Sequence, residues 1–287
     1  MKSRCLFALC LLGAAALAAC GSSGGSSTSG TSSGTGGATG ATTSSSSNSA
    51  TASGTGGLIL DIDSGTGGDA AACTQLRIGI FGNPGANASS NFQQWLVSAG
   101  MSVQRVQTTA TEPLTAATLQ PFDVIVLDWL TRDYDATEAA TLAAWVSAGG
   151  GLATMTGYDN VIADDWHANS LLAPLQVAYT GPLLNGPVTS FVSHPITAGL
   201  TSVTFAGGYE VKDLGGPGSR RTAIAFLPGN VIAGIAVQMG AGHAFVWGDE
   251  WIEFDSEWST LPEIKQLWVQ VFAWISPANK CGLTPPS

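Results

Sequence analysis

Acids and aromatic residues recur just past stretches that read as buried strands. Asp128 and Trp129 follow FDVIVL, Tyr158 and Asp159 follow LATMTG, and Asp249, Glu250 and Trp251 follow AFVWG. Open α/β sheets bind ligands outside the carboxyl ends of their strands, so these side chains are expected to converge on one cleft, with Asn83 from the first loop beside them. Rings under a sugar face and carboxylates on its hydroxyls would bind a carbohydrate. Two carboxylates whose pKa values are pushed apart would instead serve as acid and base in a hydrolase or sugar-modifying enzyme. Asp128, Asp159, Asp249 and Glu250, packed together, would raise some of each other's pKa values by repulsion, which a cation could relieve. An oxygen-rich set without a Cys or His cluster suits Ca²⁺ or Mg²⁺ better than zinc. The plainer alternative is that the acids cap helices and the tryptophans pack against loops.

Thr156 stands where such sheets often carry a nucleophile. The stretch AGGGLATMTGYDN, residues 148–160, reads as a helix end, a glycine turn, a short buried strand and an abrupt polar stop. A threonine attacks only with a base in hydrogen-bond reach, and its β-branch fits a strained turn poorly. The chain has 3 histidines. His243 opens the last strand and is expected at the end of the sheet remote from Thr156. His167 lies in a polar stretch and reads as exposed. His194, in SHPI, is either functional or a loop residue bonding a backbone carbonyl before Pro195. No phosphate-binding glycine loop, zinc-ligand spacing or dinucleotide fingerprint appears, so no cofactor is expected.

The elements that must position these residues follow from periodicity. Strands are expected at 76–81, 102–106, 122–127 and 152–155, the third continuously apolar as central parallel strands are. Helices are expected at 92–99, ended by Gly100, and after Asp135, where Asp135-x-x-Glu138 has the form of a capping box and Ala139, Leu142, Ala143, Trp145 and Val146 make a buried stripe. Alternation of strand and helix implies right-handed crossovers and a parallel sheet covered on both faces. Beyond Asp159 a short helix at 164–172 leads into strand candidates at 188–192, 203–205, 222–226, 231–238 and 244–247, with residues 239–242 as a hairpin turn. A helix over 262–275 closes the domain, with Pro262 in its first turn.

Of 287 residues 45% are apolar, enough for one sizeable core, and the formal net charge is −10. So acidic a surface repels phosphate backbones and argues against nucleic acid. Lys2 and Arg4 precede an apolar run, 6–16, too short to span a bilayer, and then LAAC ends at Cys20. LAAC resembles the lipobox of bacterial lipoproteins. That resemblance implies a signal peptide over 1–19, a lipidated Cys20 that anchors the chain in a membrane, and, with Gly21 rather than Asp next, the outer membrane. The alternative is an ordinary signal peptide cut at an Ala-x-Ala-like site, and both readings export the protein. Residues 21–57 are nearly all Ser, Gly, Thr and Ala, so 20–72 read as a flexible tether interrupted only by the apolar island 58–63. The domain proper is expected at 73–287. Cys5 and Cys10 leave with the signal segment and Cys20 takes lipid, so Cys73 and Cys281 remain as a pair expected to be bridged.

FDVIVLDW, EAATLAAWVSAGGGLATMTG, SHPITAGL and GHAFVWGDEW followed by LWVQVFAWI resemble the class I glutamine amidotransferase-like superfamily, especially its trehalose-utilization (ThuA-like) branch. The resemblance covers about residues 76–275. It implies an α/β, flavodoxin-like fold: a mostly parallel sheet with helices on both faces and a β-rich C-terminal half. The amidotransferases of that superfamily carry a nucleophilic Cys on the sharp turn where this chain has Thr156, beside backbone N–H groups that can hold an oxyanion. Their catalytic His and acid follow a late strand, where this chain reads Gly248-Asp249-Glu250-Trp251 with no His. His194 matches a motif of the ThuA-like branch. The departures imply a non-catalytic domain, binding a ligand such as a carbohydrate or serving as an envelope scaffold. The hydrolase remains the alternative.

Overall fold

The structure, a computed structural model, describes residues 73–83, 90–156, 166–215, 220–249, 260–281 and 283. The expected signal segment over 1–19, Cys20, the expected tether over 20–72, Tyr158, Asp159, Glu250 and Trp251 lie outside them. Along the chain the elements are β1 Thr74–Gln75, β2 Arg77–Phe81, α1 Ser90–Ser98, β3 Ser102–Val106, α2 Ala116–Leu119, β4 Val124–Leu127, α3 Ala136–Ser147 and β5 Gly151–Thr154. There follow α4 Ala168–Leu172, β6 Val177–Val188, β7 Ser190–Phe191, β8 Val203–Asp213, β9 Arg221–Leu227, β10 Val231–Met239, β11 Gly242–Trp247, α5 Pro262–Ile275 and β12 Lys280–Cys281.

An 8-stranded sheet runs in the order β3-β2-β4-β5-β11-β10-β9-β7. From β3 to β11 every neighbour is parallel. From β11 to β7 every neighbour is antiparallel. The expectation of a mostly parallel sheet is therefore corrected to a mixed one, with four parallel pairings and three antiparallel ones. The cause is local: Gly240 and Ala241 alone join β10 to β11, and a connection so short can only reverse the chain. Gly240 has a φ of 59°, and a side chain there would run into Ser147 at the end of α3.

Side chains alternate across the sheet and divide the core in two. Ile78, Ile80, Val124 and Val126 point to the face covered by α1 and α5, where they meet Phe92, Leu96, Leu267 and Phe272. Phe81, Ile125, Leu127 and Val246 point to the face covered by α3 and α4. Helices thus lie on both faces, as expected. The α3 start is as its sequence implies: the Asp135 carboxylate accepts from the N–H groups of Thr137 and Glu138, and Glu138 accepts from the Asp135 N–H.

The second half departs from expectation in one element. A long antiparallel ribbon of β6 and β8 was not anticipated at its length; the expected strands 188–192 and 203–205 are only its ends together with β7. Its residues join both core layers, Val188 and Phe205 with one and Tyr179 and Tyr209 with the other. The short helix expected at 164–172 is found as α4 over its second half, and residues 164 and 165 lie outside the described ones. At the chain's end, β1 and β12 pair in parallel, and Cys73 is bridged to Cys281 with Cα atoms 5.1 Å apart.

Candidate functional site

The carboxyl end of the parallel half is where the sequence puts its candidate site. In the observed order, β2 has β3 on one side and β4, β5 and β11 on the other, so the direction of winding reverses between β2 and β4. A ligand in an open α/β sheet sits above such a reversal. Here Arg105, from the end of β3, reaches across it. Its Nη1 donates to the carbonyl oxygens of Gly82 at 3.2 Å and Asn83 at 2.9 Å and to Asp128 Oδ2 at 2.7 Å. Above it the Asn83 N–H donates to the Trp129 carbonyl at 2.7 Å, so the two loops pair as an isolated bridge. Position 82 must be glycine for that approach: φ is 108°, and any Cβ would collide with the Trp129 carbonyl.

Asp128 is therefore an ion-paired residue rather than a free acid. Its side chain is 4% exposed, and burial pushes its pKa up to about 6 in spite of the opposing charge of Arg105. Repulsion among carboxylates, the expected cause, is not the one found. Among the described residues its second oxygen, Oδ1, is buried without a hydrogen-bond partner, as are Trp129 Nε1 and Thr131 Oγ1 on the same loop.

Asp249 is wholly buried, and its Oδ2 accepts from the Ala206 N–H at 2.8 Å. Next to it the Gly248 carbonyl accepts from the Tyr209 N–H at 2.7 Å, and the Gly248 N–H donates to Ala233 at 2.9 Å. Position 248 has no room for a side chain against Tyr209. The exit of β11 is thus clasped by β8, and Asp249 is part of the clasp.

Thr156 follows β5 by two residues and is 2% exposed. Beneath it Thr154 Oγ1 lies 2.7 Å from the hydroxyl of Tyr179, whose pKa burial drives up, so the phenol stays protonated. Among the described residues no group of three or more His, Cys, Asp or Glu side chains could hold a metal ion.

His194 lies away from this end of the sheet. It caps the 3₁₀ turn Pro195–Thr197, its Nδ1 accepting from the Ile196 N–H at 3.2 Å. The bond goes to a backbone amide, not to the carbonyl anticipated. Its ring meets Trp274 edge-on at 4.8 Å, and His243 packs on the same indole at 4.4 Å. His243 is paired with Gly151 at the start of β5, so both imidazoles belong to the opposite end of the sheet from Asp128 and Thr156. Burial lowers the pKa of each, and His243 lowers that of His194 further. His167 is not simply exposed: its Nδ1 lies 2.8 Å from Asp133 Oδ1 in the β4–α3 connection. Sequence reasoning missed this pair and Arg105, because both join segments more than twenty residues apart with no local signature.

No family model matches the sequence, and no curated protein matches it. Among solved structures, the cytoplasmic protein STM1381 from Salmonella typhimurium LT2 is similar over 70% of this chain and 100% of its own, at 16% identity and a TM-score of 0.52. The mmIFT52 N-terminal domain is similar over 68% of this chain and 97% of its own, at 13% identity and a TM-score of 0.50. A putative ThuA-like protein from Bacteroides uniformis covers 73% of this chain and 95% of its own, at 12% identity and a TM-score of 0.46. At such identities the likeness is one of fold. What the chain shares with the first two is its fold, which in this chain is a mixed α/β architecture built on one large sheet.

Proposed function

We propose that this chain is an exported lipoprotein whose flavodoxin-like, class I glutamine amidotransferase-like domain binds rather than catalyses, held at the outer membrane through lipid on Cys20. The strand order from β3 to β11 is that of flavodoxin-like sheets, which supports the finer reading of the fold. The observation that carries the loss of catalysis is Thr156 itself. A residue 2% exposed, at the seat of a nucleophile, cannot meet a substrate without rearrangement. Asp128 and Asp249, the described acids of the hydrolase alternative, are each tied into the fold, Asp128 Oδ2 by Arg105 and Asp249 Oδ2 by the Ala206 N–H, which favours a binding role over proton transfer.

The loop 128–131 favours a polar ligand such as a carbohydrate at this end of the sheet. Asp128 Oδ1, Trp129 Nε1 and Thr131 Oγ1 are buried, two groups able to donate and one acceptor without partners among the described residues, and an opening of this loop would offer them to sugar hydroxyls. Screening the purified protein against chromogenic glycosides, esters and glutamine tests the reading, and no turnover is expected. Turnover abolished by Asp249→Asn would establish the hydrolase instead. Binding is read on a glycan array with Trp129→Ala as control. Metabolic labelling with palmitate, lost in Cys20→Ala, tests the anchor.

A further inference from the structure

A cavity lies at the other end of the sheet, away from Asp128 and Thr156. It has a volume of about 450 Å³ and opens beside the β10–β11 turn, with Leu175, Val237 and Met239 as apolar wall and Gln176, Arg220 and Arg221 as polar wall. Arg221 opens β9 directly opposite Val237 of β10, so both side chains stand on the same face of the sheet.

Arg221 is the unusual member. Its side chain is only 8% exposed, yet among the described residues only Nε of its five N–H groups has a partner, donating to Asp213 Oδ1 at 2.7 Å. Nη2 is buried beside Gly215 with no partner among the described residues. Asp213 divides its charge, since the same oxygen also accepts from the Gly215 N–H at 2.9 Å. Gly215 makes the arrangement possible, because any side chain there would collide with the guanidinium. Arg220 beside it is exposed and takes part in no ion pair among the described residues. Buried guanidinium N–H groups left unbonded are costly, and a planar oxyanion satisfies them in pairs.

We propose that this cavity is a binding site for a small oxyanion, a carboxylate or phosphate group, gripped by Arg221 with Arg220 at the mouth and with any apolar part of the ligand laid against Leu175, Val237 and Met239. A protein of net charge −10 does not gather anions by its overall field, so affinity here has to come from this local geometry. The volume falls within the range of small-molecule sites. The inference does not depend on the function proposed above, which concerns the opposite edge of the sheet.

The test is calorimetric and thermal titration of the purified full chain with sodium butyrate and with sodium phosphate, using sodium chloride at equal ionic strength as control. Saturable binding of one of the two ions at millimolar concentration, with a rise in Tm that chloride does not produce, is expected. Butyrate alone assigns a carboxylate ligand, and phosphate alone assigns a phosphate. Arg221→Lys keeps the charge and loses the fork, and is expected to weaken binding about tenfold or more. Because Arg221 also holds Asp213, Arg220→Glu provides the variant with no side-chain bond to lose among the described residues. It should weaken binding with the apo Tm unchanged. No binding beyond the chloride control, or binding unaltered in both variants, overturns the proposal.

Discussion

Arg105 and Asp128 meet at 2.7 Å over the reversal point of the sheet, one from the end of β3 and one from the end of β4. The pair stands where a ligand would, and it gives the protein a pH signature. Burial lifts the Asp128 carboxyl from an ordinary 3.8 to about 6. A carboxyl raised in the folded state favours folding most when protonated: its contribution is complete below the unfolded value and is lost as pH rises through about 6. Stability is expected to fall between about pH 4 and pH 7 by as much as about 3 kcal/mol from this group. Urea unfolding across that range should show the slope, and Asp128→Asn should flatten it. Arg105→Ala, which strands the carboxylate, should cost about 3–5 kcal/mol at pH 7 and distinctly less at pH 5.

The bridge between Asn83 and Trp129 makes a second demand. Gly82 at φ 108° lies where a Cβ would enter the Trp129 carbonyl, so Gly82→Ala combines a forbidden backbone angle with a backbone clash. A loss of about 3 kcal/mol or more is expected. Intrinsic fluorescence of the chain's tryptophans during denaturant unfolding reads it. A Gly82→Ala protein as stable as the parent would mean the two loops are not stitched together.

Glu138 is the hub of the α3 start. Oε1 accepts from the Leu114 N–H and Arg132 Nη2, and Oε2 from the Asp135 N–H and Arg132 Nη1. Arg132 is the chief cause that holds its pKa down to about 2, against an opposing push from burial. A depressed carboxyl contributes above its unfolded pKa and loses that contribution as pH falls toward about 2, so Glu138 and Asp128 act in opposite directions with pH. Glu138→Ala leaves two backbone N–H groups and a guanidinium short of acceptors and should cost about 2–4 kcal/mol at pH 7. Asp135→Ala, which removes only the cap, should cost about 1 kcal/mol. Thermal melts of the two variants check the ratio.

What the sequence disclosed and what it hid divide by range. The α3 cap lies within four residues and its stripe within three turns, so both are written locally in ATEAATLAAWVS and the Asp135 before it. The parallel half is legible because VIVL and GLAT are buried on both sides and leave no polar alternation. β6 was obscured by its own composition: VAYTGPLLNGPV holds two prolines and two glycines, residues that argue against a strand. Pairing only with β8, across a bulge between Thr180 and Leu184, accommodates them. The site was half legible. Strand ends told where Asp128, Thr156 and Asp249 would lie. They could not tell that Arg105 would neutralise the first or that the Ala206 N–H would engage the last, since such partners come from other strands and leave no periodicity.

The Cys73–Cys281 bridge closes the domain where the chain enters and leaves it, and its energetic weight can be measured. Cys73 and Cys281 are 208 residues apart, so the bridge removes from the unfolded chain most of the freedom of the whole domain. In the chain-entropy model this is worth about 5 kcal/mol, comparable to the entire net stability of many domains. Noncovalent contacts share the location without matching that term. β1 and β12 form only two residue pairs, while Asp123 binds Arg77 at 2.9 Å and Lys280 at 3.3 Å. Arg77 is 46% exposed, and pairs so placed contribute little. Cys73→Ser is therefore expected to keep the fold at 25 °C with a urea midpoint well below that of the oxidised parent. The unfolded ensemble without its cross-link is more extended, so the slope of free energy against urea should rise at the same time. Treating the parent with reductant should reproduce both changes, and treating Cys73→Ser with reductant should change nothing. Two free thiols titrated in the unfolded, unreduced domain would show that the bridge does not form, and a midpoint shift without a change in slope would place its effect in the folded state instead.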